Sequence, residues 1–184
     1  MIEITSTELD GVKILTPPRF FDERGFFCES WNEEKLRAAG IDINFVQDNH
    51  SFSALAGTVR GLHFQKPPKA QAKLVRCTRG RLIDVAVDLR SSSPTFGRSV
   101  CVELSFDNGK QVLIPEGFAH GFVTMVDDTE ISYKCSDYYA PDCDRSLAFD
   151  DVHLNINWGI ARDAAKLSEK DAKAPSFKEL DNPF

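Results

Sequence analysis

The sequence contains no window of about 18 consecutive apolar residues, the length a membrane-spanning helix needs. Its opening, MIEITSTELDG, has neither a basic segment nor an apolar one, so neither secretion nor membrane insertion is expected. The five cysteines, at positions 28, 77, 101, 135 and 143, are odd in number and never spaced as CxxC. That excludes the usual patterns of a disulfide framework or a zinc knuckle and suits a reducing cytoplasm. Basic charge is also short: 22 Lys and Arg stand against 28 Asp and Glu, a net charge of -6. A general nucleic-acid binder needs a basic surface to displace counterions, so no nucleic acid is expected as partner. An anionic ligand would have to be held by a local cluster. Arg60, Lys73, Arg76 and Arg79 lie close enough in sequence to supply one, although solvated charge on a sheet surface gives the same pattern.

What is present is an ordinary globular composition, with 42% hydrophobic and 27% charged residues in 184. A chain of this length can bury about 70% of its unfolded surface, so one domain over residues 1–184 is expected. In RLIDVAVDL, Ile83, Val85, Val87 and Leu89 share one face while Asp84 and Asp88 share the other, the period-2 pattern of a half-buried strand. SVCVELSF alternates in the same way, and Asp107-Asn108-Gly109 reads as a turn before the strand KQVLIP. Further strands are expected at 11–16, 20–31, 44–52, 57–64, 72–79, 119–126 and 129–136, separated mostly by Gly, Pro, Asn or Asp. Such spacing predicts an antiparallel sandwich or barrel. Helix signals are few: Asn32 as N-cap and Gly40 as stop around NEEKLRAAG, and Ser168 as N-cap before Pro175. The β-core is expected at about 40–150 and a helical tail at 159–184.

Two of the four histidines sit in similar settings. Gly57 precedes His63 as G-x5-H, and Gly109 opens a G-x5-P-x-G-x2-H run through Pro115, Gly117 and His120. These spacings resemble the two motifs of the cupin superfamily, small jelly-roll β-barrels. Metal-binding cupins continue the first motif as H-x-H and then Glu; here the run is His63-Phe64-Gln65, with Lys69 and Ala70 where the Glu would fall. Two histidines alone make a poor divalent site, and a nearby lysine makes it poorer, so no metal is expected.

A histidine beside cations in a barrel that can hold a small ligand suits a general base. Proton abstraction next to a carbonyl spreads charge onto oxygen as an enolate, and a lysine such as Lys73 is a natural stabiliser of it. Return of the proton to the opposite face of the carbon needs an acid across the ring, for which Tyr133, Tyr138 and Tyr139 are the only tyrosines. The alternatives are a satisfied structural histidine and a core tyrosine whose hydroxyl needs one partner.

DERGFF at 22–27, FVQDNHS at 45–51, RGLHFQ at 60–65, KLVRC at 73–77, DVAVDLR at 84–90, SPTFG at 93–97 and IPEGFAHGFVT at 114–124 together resemble the nucleotide-sugar 3,5-epimerases, typified by dTDP-4-dehydrorhamnose 3,5-epimerase. The resemblance implies a mainly β fold, a cupin-type jelly-roll barrel with a few short peripheral helices. It implies metal-independent, cofactor-free inversion of C3 and C5 in a 4-keto-6-deoxyhexose carried on dTDP, within a cytoplasmic homodimer. By that resemblance His63 is the base, Lys73 stabilises the enolate and Tyr133 is the opposing acid. Asp171 orients and charges the histidine, while its Ser168-x-x-Asp171 spacing reads equally as a helix-capping box. The substrate-binding set implied is Arg24, Glu29, Gln47, Asp48, Asn49, Arg60, His120, Tyr138, Asp144 and Lys170. Arg24 and its neighbours are implied to come from the partner subunit, and Tyr138 or a nearby aromatic to stack on the base. Asp144 stands where the family has Glu.

Two questions stay open at the level of sequence. A mono-epimerase on another dTDP-, CDP- or GDP-linked sugar, or a non-catalytic sugar-nucleotide binder, shares these motifs. In TVRGLHF, strict alternation puts Arg60 and His63 on opposite faces, so one must reach the interior from a strand end, a bulge or a bend at Gly61.

Overall fold

Strands from the middle of the chain are dealt between two facing antiparallel sheets. The computed structural model describes residues 2–184. In chain order the strands are β1 (Glu3–Ser6), β2 (Lys13–Thr16), β3 (Arg19–Asp22), β4 (Gly25–Cys28), β5 (Gln47–Ser53), β6 (Val59–Gln65), β7 (Lys73–Arg79), β8 (Arg81–Asp88), β9 (Ser99–Ser105), β10 (Gln111–Ile114), β11 (Phe118–Thr124), β12 (Thr129–Cys135) and β13 (Asp144–Ser146). Helix α1 covers Glu33–Ala38 and α2 covers Glu169–Ala172. One sheet runs β1-β2-β10-β7-β12-β5, the other β13-β6-β11-β8-β9, and β3-β4 form a separate hairpin. From β5 to β12 the chain crosses between sheets at every connection except the β8–β9 hairpin, giving β5-β12-β7-β10 against β6-β11-β8-β9. That order is a jelly roll. Among the described residues no helix is long and apolar enough to cross a membrane.

Three apolar clusters hold the layers. Leu82, Ala86, Val75, Leu104, Phe122 and Ile131 pack between the sheets. Val59, Leu62, Val85, Val87, Leu147 and Trp158 form a second cluster, covered by residues of the C-terminal segment such as Ile156 and Leu180. Leu36 of α1 closes a third with Leu15, Leu74 and Leu113.

β8 is therefore not half-buried: Val85 and Val87 meet the C-terminal segment, while Asp84 and Asp88 are themselves buried on the opposite face. Each aspartate has a partner that alternation cannot reveal. His120 donates from Nε2 to Asp84 at 2.8 Å, and Arg90, Ser93 and Thr95 all bond Asp88. Residues 20–31, expected as one strand, fold back as β3-β4 around Glu23-Arg24, with Gly25 at φ +129°. The segment 159–184 is less helical than expected, holding only α2 and two short 3-10 turns. α1 begins where its cap predicts, with Lys35 N–H donating to Asn32 Oδ1 at 3.0 Å.

A bulge settles the orientation of Arg60 and His63. Against β11, His63 pairs with His120 and Arg60 with Phe122, so two β6 residues, Gly61 and Leu62, oppose the single Gly121. The extra residue resets the alternation, and Arg60 and His63 line one cavity while Val59, Leu62 and Phe64 join the cluster on the other face. Gly61 sits at φ +116°, and a Cβ there would lie 2.6 Å from Gly121 Cα and 2.7 Å from His120 O. Backbone cannot yield as a side chain can. Gly61→Ala is expected to destabilise the fold by about 1–3 kcal/mol, read as a Tm several degrees lower in thermal denaturation, with loss of activity.

Candidate active site

Both sheets and the C-terminal segment contribute to one cavity of about 490 Å³. From β6 come Arg60 and His63, from β7 Lys73, from β11 His120, from β12 Tyr133, and from α2 Lys170 and Asp171. A smaller cavity of about 190 Å³ shares His63, Lys73, Tyr133 and Lys170 with it and adds Gln47, Asn49, Tyr139 and Asp144. The inward positions of β5 and β12 are in register here, Asn49 opposite Tyr133. The two spaces form one cleft with His63 at the junction.

His63 Nε2 lies 2.6 Å from Asp171 Oδ1, with the carboxylate 4% exposed and the imidazole 31%. A carboxylate only accepts, so in the neutral ring the proton sits on Nε2 and the lone pair on Nδ1. Among the described residues Nδ1 has no hydrogen-bond partner. Burial pushes the Asp171 carboxyl up, but the hydrogen bond and charge of His63, with support from Ser168 and the Gly61 backbone, more than offset it and hold it below the usual range. The helix-capping and histidine-binding roles do not compete: Asp171 donates its backbone N–H to Ser168 Oγ at 3.1 Å, leaving the carboxylate for His63.

Around this pair the charges are unequally satisfied. Lys73 forms no ion pair among the described residues, and burial lowers its ammonium against the opposing pull of Cys135, Asp84 and Asp144. Burial raises the Tyr133 phenol, which keeps it protonated near neutrality. His120 is pushed down by burial despite Asp84, so it stands as a neutral imidazole. Arg60 is fixed by donating to Phe52 O at 2.8 Å and Ser53 Oγ at 3.3 Å. One base-competent imidazole, one desolvated ammonium and one protonated phenol thus share a cleft, a set suited to moving protons at carbon beside a carbonyl.

Not every expected residue arrives. Asp48 faces the other side of β5 from Gln47 and Asn49, where it pairs with Lys134 at 2.9 Å. Among the described residues Arg24, at 85% side-chain exposure, pairs only with Asp22, and Glu29 pairs with Lys35; neither lines the cleft of its own chain. Tyr138 offers its carbonyl to Gln65 Nε2 at 3.2 Å, while the ring that lines the cleft is that of Tyr139. Sequence reasoning missed Ser51 and Lys166, both on the main cavity. Gln65, at the second position of the H-x-H site, is occupied structurally: its amide donates to Lys69 O at 2.6 Å and accepts from Ala140 N–H at 2.7 Å. No group of three His, Cys, Asp or Glu side chains among the described residues is placed to hold a metal.

The sequence model of the dTDP-4-dehydrorhamnose 3,5-epimerase family matches residues 6–179. The chain belongs to that family. It is 51% identical to the dTDP-4-dehydrorhamnose 3,5-epimerase of Sinorhizobium fredii, over 97% of this chain and 91% of that one. The epimerase structure from Legionella pneumophila, solved in complex with dTDP-4-keto-L-rhamnose, superposes with a TM-score of 0.94 at 43% identity, covering 98% of this chain and 95% of its own. That from Bacillus anthracis, solved with TDP and PPi bound, gives a TM-score of 0.92 at 46% identity, covering 96% and 99%. Family membership accounts for the shared fold and the jelly-roll order found here.

Asp171→Asn is expected to keep the fold, because the cap uses the backbone, and to lower turnover by about 10²-fold or more. The sign of its pH dependence follows from the depressed carboxyl: the stabilisation is present above the unfolded value of about 4 and is lost as pH falls through the folded one. Denaturant unfolding should show the variant about 1–3 kcal/mol less stable at pH 7, with the gap closing below about pH 4.

Proposed function

We propose that this chain inverts C3 and C5 of dTDP-4-dehydro-6-deoxy-D-glucose to give dTDP-4-dehydro-L-rhamnose, in dTDP-rhamnose synthesis. The observation that carries the reading is His63, held through Nε2 by Asp171, with Nδ1 unpartnered in the same cleft as Lys73 and Tyr133. Nδ1 takes the proton from C5, the C–H electron pair moves into the ring carbonyl, and the Lys73 ammonium meets the enolate charge on the C4 oxygen. Asp171 stabilises the imidazolium that forms. The enolate then collapses as Tyr133 gives its proton to the opposite face of the same carbon. Proton exchange with water resets His63 and Tyr133, and the sequence repeats at C3. Carbon ends at the oxidation state at which it began, so the reading requires no redox cofactor, and Lys73 supplies the charge a metal would otherwise bring.

Arg60, His120, Lys170, Gln47, Asn49 and Asp144 are the single-chain binding set, with arginine suited to diphosphate by its paired donors. Tyr139, which lines the smaller cavity, is the reading's candidate to stack on the base beside the expected Tyr138. The reading includes a cytoplasmic homodimer whose β3-β4 hairpin carries Arg24 and Glu29 to the partner's cleft. Support comes from the hairpin itself, where Phe20, Phe21 and Phe27 are 61%, 73% and 69% exposed, a cluster soluble monomers rarely leave open. Sedimentation is expected to give a dimer, and replacement of Phe20 and Phe27 by Ser to shift it toward monomer.

Turnover in deuterated water, followed by NMR of the sugar, tests the chemistry. Label at both C3 and C5 is expected, with His63→Asn slower by about 10³-fold. Label at one carbon makes the enzyme a mono-epimerase, and label at neither removes the proposal.

A further inference from the structure

α2 is a single turn in which only Asp171 is buried, so packing does little to fix it. Two consecutive side chains of this turn are tied to neighbouring strands. Asp171 meets His63 of β6, and Lys170 Nζ meets Asp144 Oδ2 of β13 at 2.5 Å. β13 pairs with β6 so that Asp144 lies opposite Gln65 and Ser146 opposite His63. Asp144 is itself well anchored: its backbone N–H donates to Ala140 O at 3.1 Å, and its side chain is only 17% exposed against 53% for Lys170. The more buried partner of the pair is on the barrel and the more exposed one on the turn.

We infer that Asp144 is a positioning residue for the reaction: by holding Lys170 it seats α2, and so keeps the Asp171 carboxylate on His63. The inference rests on the reading of His63 as base and goes beyond a direct substrate contact for Asp144. A half-exposed ion pair contributes little to global stability, so its loss should leave the fold intact. Placement is more demanding, because small displacements of catalytic groups carry large rate penalties. The titratable and charged groups around His63 are Arg60 of its own strand, Lys73 of β7, His120 of β11, Tyr133 of β12, Tyr139 and Asp144 beside β6, and Lys166, Lys170 and Asp171 of the C-terminal segment. Of these only Asp171 bonds the imidazole, so a loosened turn releases the tautomer that this hydrogen bond fixes.

The test is the His63 imidazole tautomer in the ligand-free protein near pH 8, read from 15N shifts by NMR and assigned with His63→Asn, in Asp144→Asn and in Lys170→Met. Loss of the Lys170 charge acting directly leaves the Nε2 hydrogen bond to Asp171 in place; loss of positioning releases it. Both variants are expected to move the ring from the Nε2-protonated tautomer toward a mixture, with Tm unchanged and Asp144→Glu restoring the wild-type pattern. An unchanged tautomer in Lys170→Met overturns the inference. In turnover, kcat is expected to fall about tenfold. A raised KM with kcat unchanged would make Asp144 a substrate contact only. Because the NMR measurement needs no substrate, its outcome stands apart from whether the wild-type enzyme turns over a given sugar.

Discussion

The hydrogen bond between His63 and Asp171 spans 108 positions of sequence and ties the C-terminal segment to the wall of the barrel. A buried carboxylate is costly unless it is paired, and this one is paired with the group whose charged form it stabilises. The cavity depends on it twice. It fixes the tautomer that leaves Nδ1 free, and it places α2, with Lys170, along the rim where Arg60 and Lys73 already stand. The same segment covers the outer face of β6 and β8, so the packing that closes the fold also delivers the carboxylate.

Much of this architecture was legible in the residues. Period-2 alternation located most strands, and Asn32 and Ser168 announced both helices through local capping physics. The two glycine-histidine spacings resembled the two cupin motifs, and the strands that carry them, β6 and β11, are hydrogen-bonded neighbours with His63 opposite His120. Illegible features depend on partners remote in sequence. Asp84 and Asp88 looked solvent-facing because nothing nearby reveals that His120, Arg90, Ser93 and Thr95 satisfy them inside the fold. Likewise the bulge at Gly61 exists because Gly121 approaches from another strand, and only that approach explains how Arg60 and His63 share a wall.

The family resemblance supplied what local rules could not, and left one choice open. Tyr138 and Tyr139 are adjacent, and recognising the motif does not say which turns toward the cleft; in the β12–β13 connection held by Gln65, Tyr139 lines the smaller cavity. Arg24 lies in a hairpin whose phenylalanines are exposed in the single chain, with Glu29 just beyond it, and neither lines the cleft of its own chain. At Asp171 both contacts expected from the sequence form, the backbone N–H with Ser168 and the carboxylate with His63.

The central claim is that His63 presents an unprotonated Nδ1 to the cleft because Asp171 holds the proton on Nε2. Imidazole 15N shifts of the ligand-free protein near pH 8 measure this directly. The account predicts a protonated Nε2 and a bare Nδ1, reverting to a tautomer mixture in Asp171→Asn. A protonated Nδ1 with bare Nε2 in the wild-type protein would leave no base in the cleft and contradict it.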